Sequence, residues 1–181
     1  MRVITGTARG RRLRELEGQE TRPTTDRVKE GLFNIVQFAV EGRRVLDLFA
    51  GTGQLGIEAL SRGAKSAVFV EQRRDAVQLI RENLKATELE GRVVAGEAMS
   101  FLGQTREKFD LIFLDPPYGT GLLERALKEI CRLDLLAAGG IIVCESPLAQ
   151  ELPPLAPPYG MHRTYRYGKI KLTTYHREGE Q

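Results

Sequence analysis

The chain has no tryptophan and only two histidines and two cysteines in 181 residues. Cys131 and Cys144 are too few for a disulfide framework or a cysteine-rich metal site, and free cysteine ordinarily packs as a small apolar side chain. His162 and His176 have no partner at ligand spacing, so no metal is expected. No stretch approaches the ~18 consecutive apolar residues of a membrane span. The opening MRVITGTARGRR has no apolar run behind its basic residues, so a secretory signal is not expected and the cytoplasm is the expected location. Repeats and low-complexity tracts are also lacking, and division by ~150 residues per domain argues for a single domain. Carboxylates are missing from both ends. Residues 1–14 carry Arg2, Arg9, Arg11, Arg12 and Arg14 with no acid, and residues 152–177 carry Arg163, Arg166, Lys169, Lys171 and Arg177 with none. The middle, 15–151, holds 17 basic and 22 acidic residues. Acid-free basic segments suit a polyanion, whose phosphates release counterions to each Lys or Arg. Folded together, the two ends would make one positive face beside an acidic pocket.

What is present is an alternation of short apolar runs with amphipathic segments, the pattern of an α/β domain around a mostly parallel sheet. Strands are expected at Val45–Phe49, Ala67–Glu71, Arg92–Ala95, Leu111–Leu114 and Ile141–Cys144. Helices are expected at Asp26–Val40, Gln54–Ser61, Arg73–Ala86 and Leu122–Leu133. Thr24, Thr25 or Asp26 can cap the first helix, whose apolar stripe is Val28, Leu32, Ile35, Val36 and Ala39. In the third helix Val77, Ile80 and Leu84 share one face. After a proline-rich loop, Met161–Arg166 and Lys169–Tyr175 read as a hairpin around a Tyr167-Gly168 turn. Residues 1–20 read as a small N-terminal hairpin extension and 21–181 as the core. Five parallel strands with a terminal antiparallel hairpin imply the seven-stranded, Rossmann-like class I methyltransferase architecture rather than a dehydrogenase's six parallel strands.

Gly51-Thr52-Gly53-Gln54-Leu55-Gly56 matches G-x-G-x-x-G between a strand and a helix, and Glu71 ends the next strand twenty residues past Gly51. This is also the dinucleotide fingerprint, and the glycines alone do not choose between cofactors. Charge does. Asp47, four residues before Gly51, would face the crevice, where a pyrophosphate would meet it at a cost of about 4 kcal/mol for like charges ~4 Å apart at an effective dielectric of 20. S-adenosylmethionine carries an ammonium and a sulfonium and no phosphate, so the same carboxylate attracts it. No lysine follows the turn, which excludes a P-loop.

The fourth strand delivers Asp115-Pro116-Pro117-Tyr118 to the carboxyl edge of the sheet, where open α/β folds bind ligands. An exocyclic base amine is a poor nucleophile because its lone pair is delocalised into the ring. Two acceptors on its hydrogens would localise that pair, and the Asp115 carboxylate and the Pro116 carbonyl can supply them. The prolines stiffen the turn and offer no competing N–H. Tyr118 supplies a flat face for an extruded base. Ala156-Pro157-Pro158-Tyr159-Gly160 is an internal control: it repeats Pro-Pro-Tyr-Gly without an aspartate or an apolar strand, and reads as a plain loop.

These residues resemble the RsmD-type bacterial methyltransferases, which modify the exocyclic amine of a guanine in small-subunit (16S) ribosomal RNA. The resemblance covers nearly the whole chain. It rests on Ile4–Leu13, on Arg22–Asn34, on Asp47–Gly53 with Gly56–Ala64, and on Asp115–Tyr118. It implies that Asp47, Phe49, Ala50, Gly51, Thr52, Gly53 and Gly56 form the cofactor motif, with Glu71 and Gln72 at the ribose and Asp115 beside the methyl donor. Glu97 and Ala98 would flank the adenine, by the Glu97 carboxylate or by the Ala98 backbone N–H. The implied cofactor is S-adenosylmethionine, leaving as S-adenosylhomocysteine. The implied partner is ribosomal RNA in an assembled or assembling small subunit, met by a monomer. Arg9, Arg11 and Arg12, then Arg22 and Arg27, are the expected RNA contacts. Tyr165, Tyr167 and Tyr175 are expected to pack across hairpin strands rather than stack on bases. Rival readings are an adenine amine or a protein glutamine amide as acceptor, a nicotinamide-dependent oxidoreductase, and a non-catalytic RNA-binding domain.

Overall fold

The computed structural model describes residues 1–17 and 24–179. The elements run α1 (Asp26–Ile35), β1 (Arg44–Asp47), α2 (Gln54–Ser61), β2 (Ser66–Glu71), α3 (Arg74–Thr87), β3 (Arg92–Ala95), α4 (Ala98–Gln104), β4 (Phe109–Leu114), α5 (Leu122–Leu133), β5 (Leu136–Pro147), β6 (Tyr159–Tyr167) and β7 (Ile170–Arg177). They build one seven-stranded sheet in the order β3-β2-β1-β4-β5-β7-β6. The first five strands pair in parallel, and β7 runs antiparallel to both β5 and β6. This is the mostly parallel sheet with a terminal hairpin that the alternating pattern implies. No helix among the described residues is long and apolar enough to cross a membrane.

Two apolar layers cover the sheet. On one face α1, α2 and α3 pack with the N-terminal segment around Phe33, Phe69 and Phe113; Phe33 and Phe113 meet edge-on at 5.6 Å. On the other face α4 and α5 pack around Phe101, Phe109, Ile112 and Tyr175. Strands β1, β2, β4 and the second half of β5 are buried on both faces, which is why they read as continuous apolar runs rather than alternating ones.

Several boundaries differ from the sequence reading. Helix α1 stops at Ile35, with Val36 as its C-cap, although Val36 and Val40 stay buried. A series of turns ending at Gly42 (φ +72°) buries the same apolar stripe, so periodicity persists past the helix. Thr25 is the N-cap, accepting the Val28 N–H at 3.3 Å. Helix α4, which the sequence reading lacks, is a seven-residue element without a full amphipathic period. Strand β1 ends at Asp47 rather than Phe49. Strand β5 begins at Leu136, because Leu136 pairs with Phe109 before a register shift in β4. Tyr159 belongs to β6 rather than to a loop: it is 4 % exposed, and its hydroxyl donates to Asp134 Oδ1 at 2.9 Å. The hairpin turn is Gly168-Lys169. Tyr175 is fully buried and Tyr165 and Tyr167 pack against the core, as cross-strand aromatics do.

The N-terminal segment folds as a small hairpin, with an isolated antiparallel bridge between Arg2 and Arg12 and a Gly10 N–H to Val3 carbonyl bond. Buried polar side chains clamp it to the helices. Glu58 of α2 accepts the Ile4 and Thr5 N–H groups, Ser61 Oγ accepts from Ala8, and Asn83 of α3 accepts from Arg14 and donates back to its carbonyl. The fully buried Lys29 of α1 donates to the Arg2 carbonyl at 2.8 Å and pairs with Glu58 at 3.3 Å. On the same helix the Tyr167 hydroxyl lies 2.3 Å from where a side chain at Gly31 would begin. Helix α1 thus touches both basic ends of the chain.

Candidate active site

Strand order creates the site. The order in which successive strands are added reverses between β1 and β4, and open α/β sheets bind ligands in the crevice outside the carboxyl ends at such a point. Asp47 closes β1, Asp115 follows β4 and Glu145 lies near the end of β5, so three neighbouring strands each deliver a carboxylate to one edge. A cleft of about 1020 Å³ opens there. Its walls include Asp47, Phe49, Ala50, Gly51, Thr52, Glu71, Gln72, Glu97, Ala98 and the whole Asp115–Tyr118 turn.

The glycine turn shapes one wall. Gly51 and Gly53 adopt φ +56° and +83°, which only glycine takes without steric cost. Neither Gly53 nor Gly56 lines the cleft. Gly56 lies behind it, where an added Cβ would come within 2.3 Å of the Phe69 ring; its absence lets α2 close on β2. Asp47 is 2 % exposed and accepts the Gly56 N–H at 3.1 Å. Burial, with the neighbouring Glu71 charge adding to it against the Gly56 hydrogen bond, pushes its carboxyl up to about 7. Glu71 spans the turn, accepting the Gly51 N–H at 2.9 Å and the Arg73 N–H at 3.1 Å. Glu97 has a role besides the adenine contact implied for it. Its carboxylate caps α4, accepting the Met99 and Ser100 N–H groups and the Ser100 hydroxyl, and these bonds hold it below the usual carboxylate range. Oε1 accepts the Met99 N–H alone and keeps a second lone pair, so both the Glu97 carboxylate and the Ala98 backbone stay at the cleft wall.

Opposite the glycine turn sits a cluster that sequence reasoning found only in part. Thr24 Oγ1 lies 3.2 Å from Asp115 Oδ2 and 3.2 Å from Glu145 Oε2. The Tyr118 hydroxyl donates to Glu145 Oε1 at 3.1 Å. Burial first, then the Glu145 charge, raise the Asp115 carboxyl well above its ordinary range, against the Thr24 hydrogen bond. Thr24 is one of the three cap candidates and stands beside the actual cap, Thr25, and Glu145 is the single acid at the end of an apolar strand run, which was the available signal. Gln54, the first residue of α2, also lines the cleft, and its buried carbonyl oxygen has no hydrogen-bond partner among the described residues.

The donor set fits a cation. Asp47, Glu71 and Glu97 together with the Gln54 carbonyl offer acceptors and negative charge, which match an ammonium and a sulfonium and oppose a pyrophosphate. Among the described residues no three His, Cys, Asp or Glu side chains converge as metal ligands.

Of the predicted RNA contacts, Arg9, Arg11, Arg12 and Arg27 lie outside the cleft. Arg9, Arg12 and Arg27 are exposed and make no ion pair among the described residues. Arg11 is occupied at the end of α3, donating to the Ala86 carbonyl and the Glu88 carboxylate, both at 3.1 Å. An exposed pair of this kind contributes about 0–1 kcal/mol, so a phosphate could replace it. Arg22 lies outside the described residues.

Comparison with known proteins gives the same picture. A family model described as conserved hypothetical protein 95 matches residues 1–176. The chain is 41 % identical over 184 residues to a candidate rRNA methyltransferase, YlbH, of Bacillus subtilis, across 99 % of this chain and 100 % of that one. It is 38 % identical over 181 residues to ribosomal RNA small subunit methyltransferase D of Escherichia coli K12, across 99 % and 91 %. The solved structure of a candidate methyltransferase, yhhF, from Escherichia coli superposes with a TM-score of 0.89 at 38 % identity, covering 99 % of each chain.

Proposed function

This chain belongs to the family described as conserved hypothetical protein 95, and on that premise we propose that it methylates the exocyclic amine of a guanine in small-subunit ribosomal RNA, with S-adenosylmethionine as donor. The relative named ribosomal RNA small subunit methyltransferase D, aligned over nearly the full chain, supports the substrate. The observation that carries the chemistry is the Asp115–Tyr118 turn at the edge of an acid-lined cleft. The enzyme works as a single catalytic unit with the N-terminal hairpin as its extension; the boundary read at residues 20 and 21 lies outside the described residues. It acts in the cytoplasm, as a monomer, on an assembled or partly assembled small subunit.

S-adenosylmethionine supplies an electrophilic methyl group on a sulfonium. Asp47, Glu71 and Gln54 would hold its cationic and ribose ends, and the backbone around Ala98 its base. Asp115 and the Pro116 carbonyl accept the two hydrogens of the guanine amine and localise its lone pair. Pro116 and Pro117 keep that turn stiff. Tyr118, 38 % exposed, offers its ring face to the extruded base, while its hydroxyl stays on Glu145. The nitrogen becomes acidic as its new bond forms, and the raised affinity of the Asp115 carboxyl for a proton suits it to take that proton. Arg9, Arg12 and Arg27, with Arg11 and Arg22, contact phosphates and orient the particle.

The test offers purified enzyme and labelled S-adenosylmethionine to small subunits from cells lacking the enzyme, and maps the product by mass spectrometry. One N2-methylguanine is expected. Asp115→Ala should reduce transfer by ~10²–10³, by analogy with loss of one preorganised electrostatic partner, with cofactor affinity nearly intact. Loss of cofactor binding in that variant would refute the assignment.

A further inference from the structure

The mechanism assigns Asp115 and leaves its neighbour Glu145 without a role. Glu145 is 6 % exposed, lines the cleft, and shares the Thr24 hydroxyl with Asp115. A hydroxyl carries one proton. Thr24 therefore donates to only one of the two carboxylates it touches, the Tyr118 hydroxyl meets Glu145 Oε1, and the four oxygens of the pair keep lone pairs for further donors. Two buried carboxylates side by side are costly unless N–H or O–H groups meet them. A ligand bringing several N–H donors on one edge would supply them.

We infer that Glu145 is the residue that selects guanine, by accepting the ring N1–H adjacent to the methylated amine. Guanine presents three N–H hydrogens along its Watson–Crick edge, two on the exocyclic amine and one on N1. With Asp115 and the Pro116 carbonyl on the amine, N1–H is the next donor along. Adenine and cytosine also carry exocyclic amines, but the ring nitrogen beside each on that edge is a bare acceptor. Its lone pair would point at the buried Glu145 carboxylate, leaving an acceptor facing an acceptor. Discrimination then comes from an unpaired buried group rather than from shape. Placement agrees with this order of contacts: Cys144 pairs with Leu114, so Asp115 and Glu145 leave adjacent strands at the same level. Tyr118 joins the two functions, since the residue whose ring faces the base also donates its hydroxyl to Glu145 Oε1. That bond leaves the carboxylate oriented and still able to accept, because each carboxylate oxygen has two lone pairs.

The inference rests on the guanine-amine reading, so its test separates the two. Small subunits are reconstituted with guanine or with 2-aminopurine at the methylated nucleotide. 2-Aminopurine keeps the amine but has a bare acceptor at N1. Wild type should favour guanine in kcat/KM by ~10–150-fold, the value of one well-placed hydrogen bond in base discrimination. Glu145→Gln can turn its amide nitrogen toward the bare N1, so the ratio should fall to about threefold or less, with S-adenosylmethionine affinity and melting temperature near wild type. Glu145→Asp keeps the acceptor and should keep the preference for guanine at a lower rate. If wild type transfers to guanine while Glu145→Gln retains the full guanine preference, the inference fails and the proposed function stands. If wild type transfers no methyl to guanine, both fall.

Discussion

Asp47 should make cofactor binding depend on pH in a way that one substitution removes. The carboxyl is enclosed beneath the glycine turn and its pKa is about 7 without a ligand, where an ordinary one lies near 3.8. A shift of about three units corresponds to about 4 kcal/mol by which the fold favours the protonated form. A raised carboxyl destabilises the folded state above its folded pKa, and that penalty fades as pH falls toward the unfolded value. Acidification from pH 8 to 5 therefore does not weaken the fold through Asp47. It does weaken binding, because a cationic donor favours the ionised form and the proton must leave first. If only the ionised form binds, the apparent Kd rises about tenfold from its limiting value at pH 6, about a hundredfold at pH 5, and hardly at all at pH 8. Isothermal titration at pH 6 in buffers of different ionisation enthalpy should show release of about 0.9 of a proton. Asp47→Asn should abolish both effects and weaken binding at pH 8 by ~10–100-fold, the value of a hydrogen bond to a charged group. The same variant should melt no lower than wild type without cofactor at pH 8, since it removes a buried charge. A wild-type Kd that is flat from pH 5 to 8, or an unchanged slope in Asp47→Asn, would refute the reasoning.

Other consequences concern stability and the RNA surface. Lys29→Ala leaves the fully buried Glu58 short of a partner and should cost ~3–5 kcal/mol by urea unfolding; a loss below about 1 kcal/mol would show that Arg62 and the hairpin N–H groups suffice. Gly56→Ala drives a methyl into the Phe69 ring and should cost ~1–3 kcal/mol, with cofactor affinity reduced as α2 is displaced. An unchanged melting temperature would mean that the ring has room to turn. Replacing Arg9, Arg12 and Arg27 by glutamine should lower the slope of log affinity against log salt by about 2–3 for the small subunit, at ~0.7–0.9 per lost phosphate contact. An unchanged slope would remove this surface from the RNA interface.

Much of the molecule was legible from residue order. The apolar runs ending in Asp47, Glu71 and Asp115, the glycine turn and the acid-flanked Asp-Pro-Pro-Tyr are local signals, because strand and turn chemistry act over a few residues. They identify the α/β class, the parallel core and the cofactor edge before any contact is known. The cation preference follows from Asp47 alone, since one carboxylate reverses which ligand the turn can hold.

Tertiary structure decided what depends on residues far apart in the chain. Glu145 is 121 positions from Thr24; the β4-β5 pairing sets Glu145 beside Asp115, and the segment before α1 brings Thr24 to both. Glu97, read as flanking the adenine, also caps α4, a helix too short to show a period. Glu58 and Ser61, inside a motif read as cofactor-binding, hold the N-terminal hairpin instead. Local pattern specifies elements because backbone preferences and apolar periodicity are short-range. The pairing of buried charges is settled by packing, which sets which groups lose water together and must therefore satisfy one another.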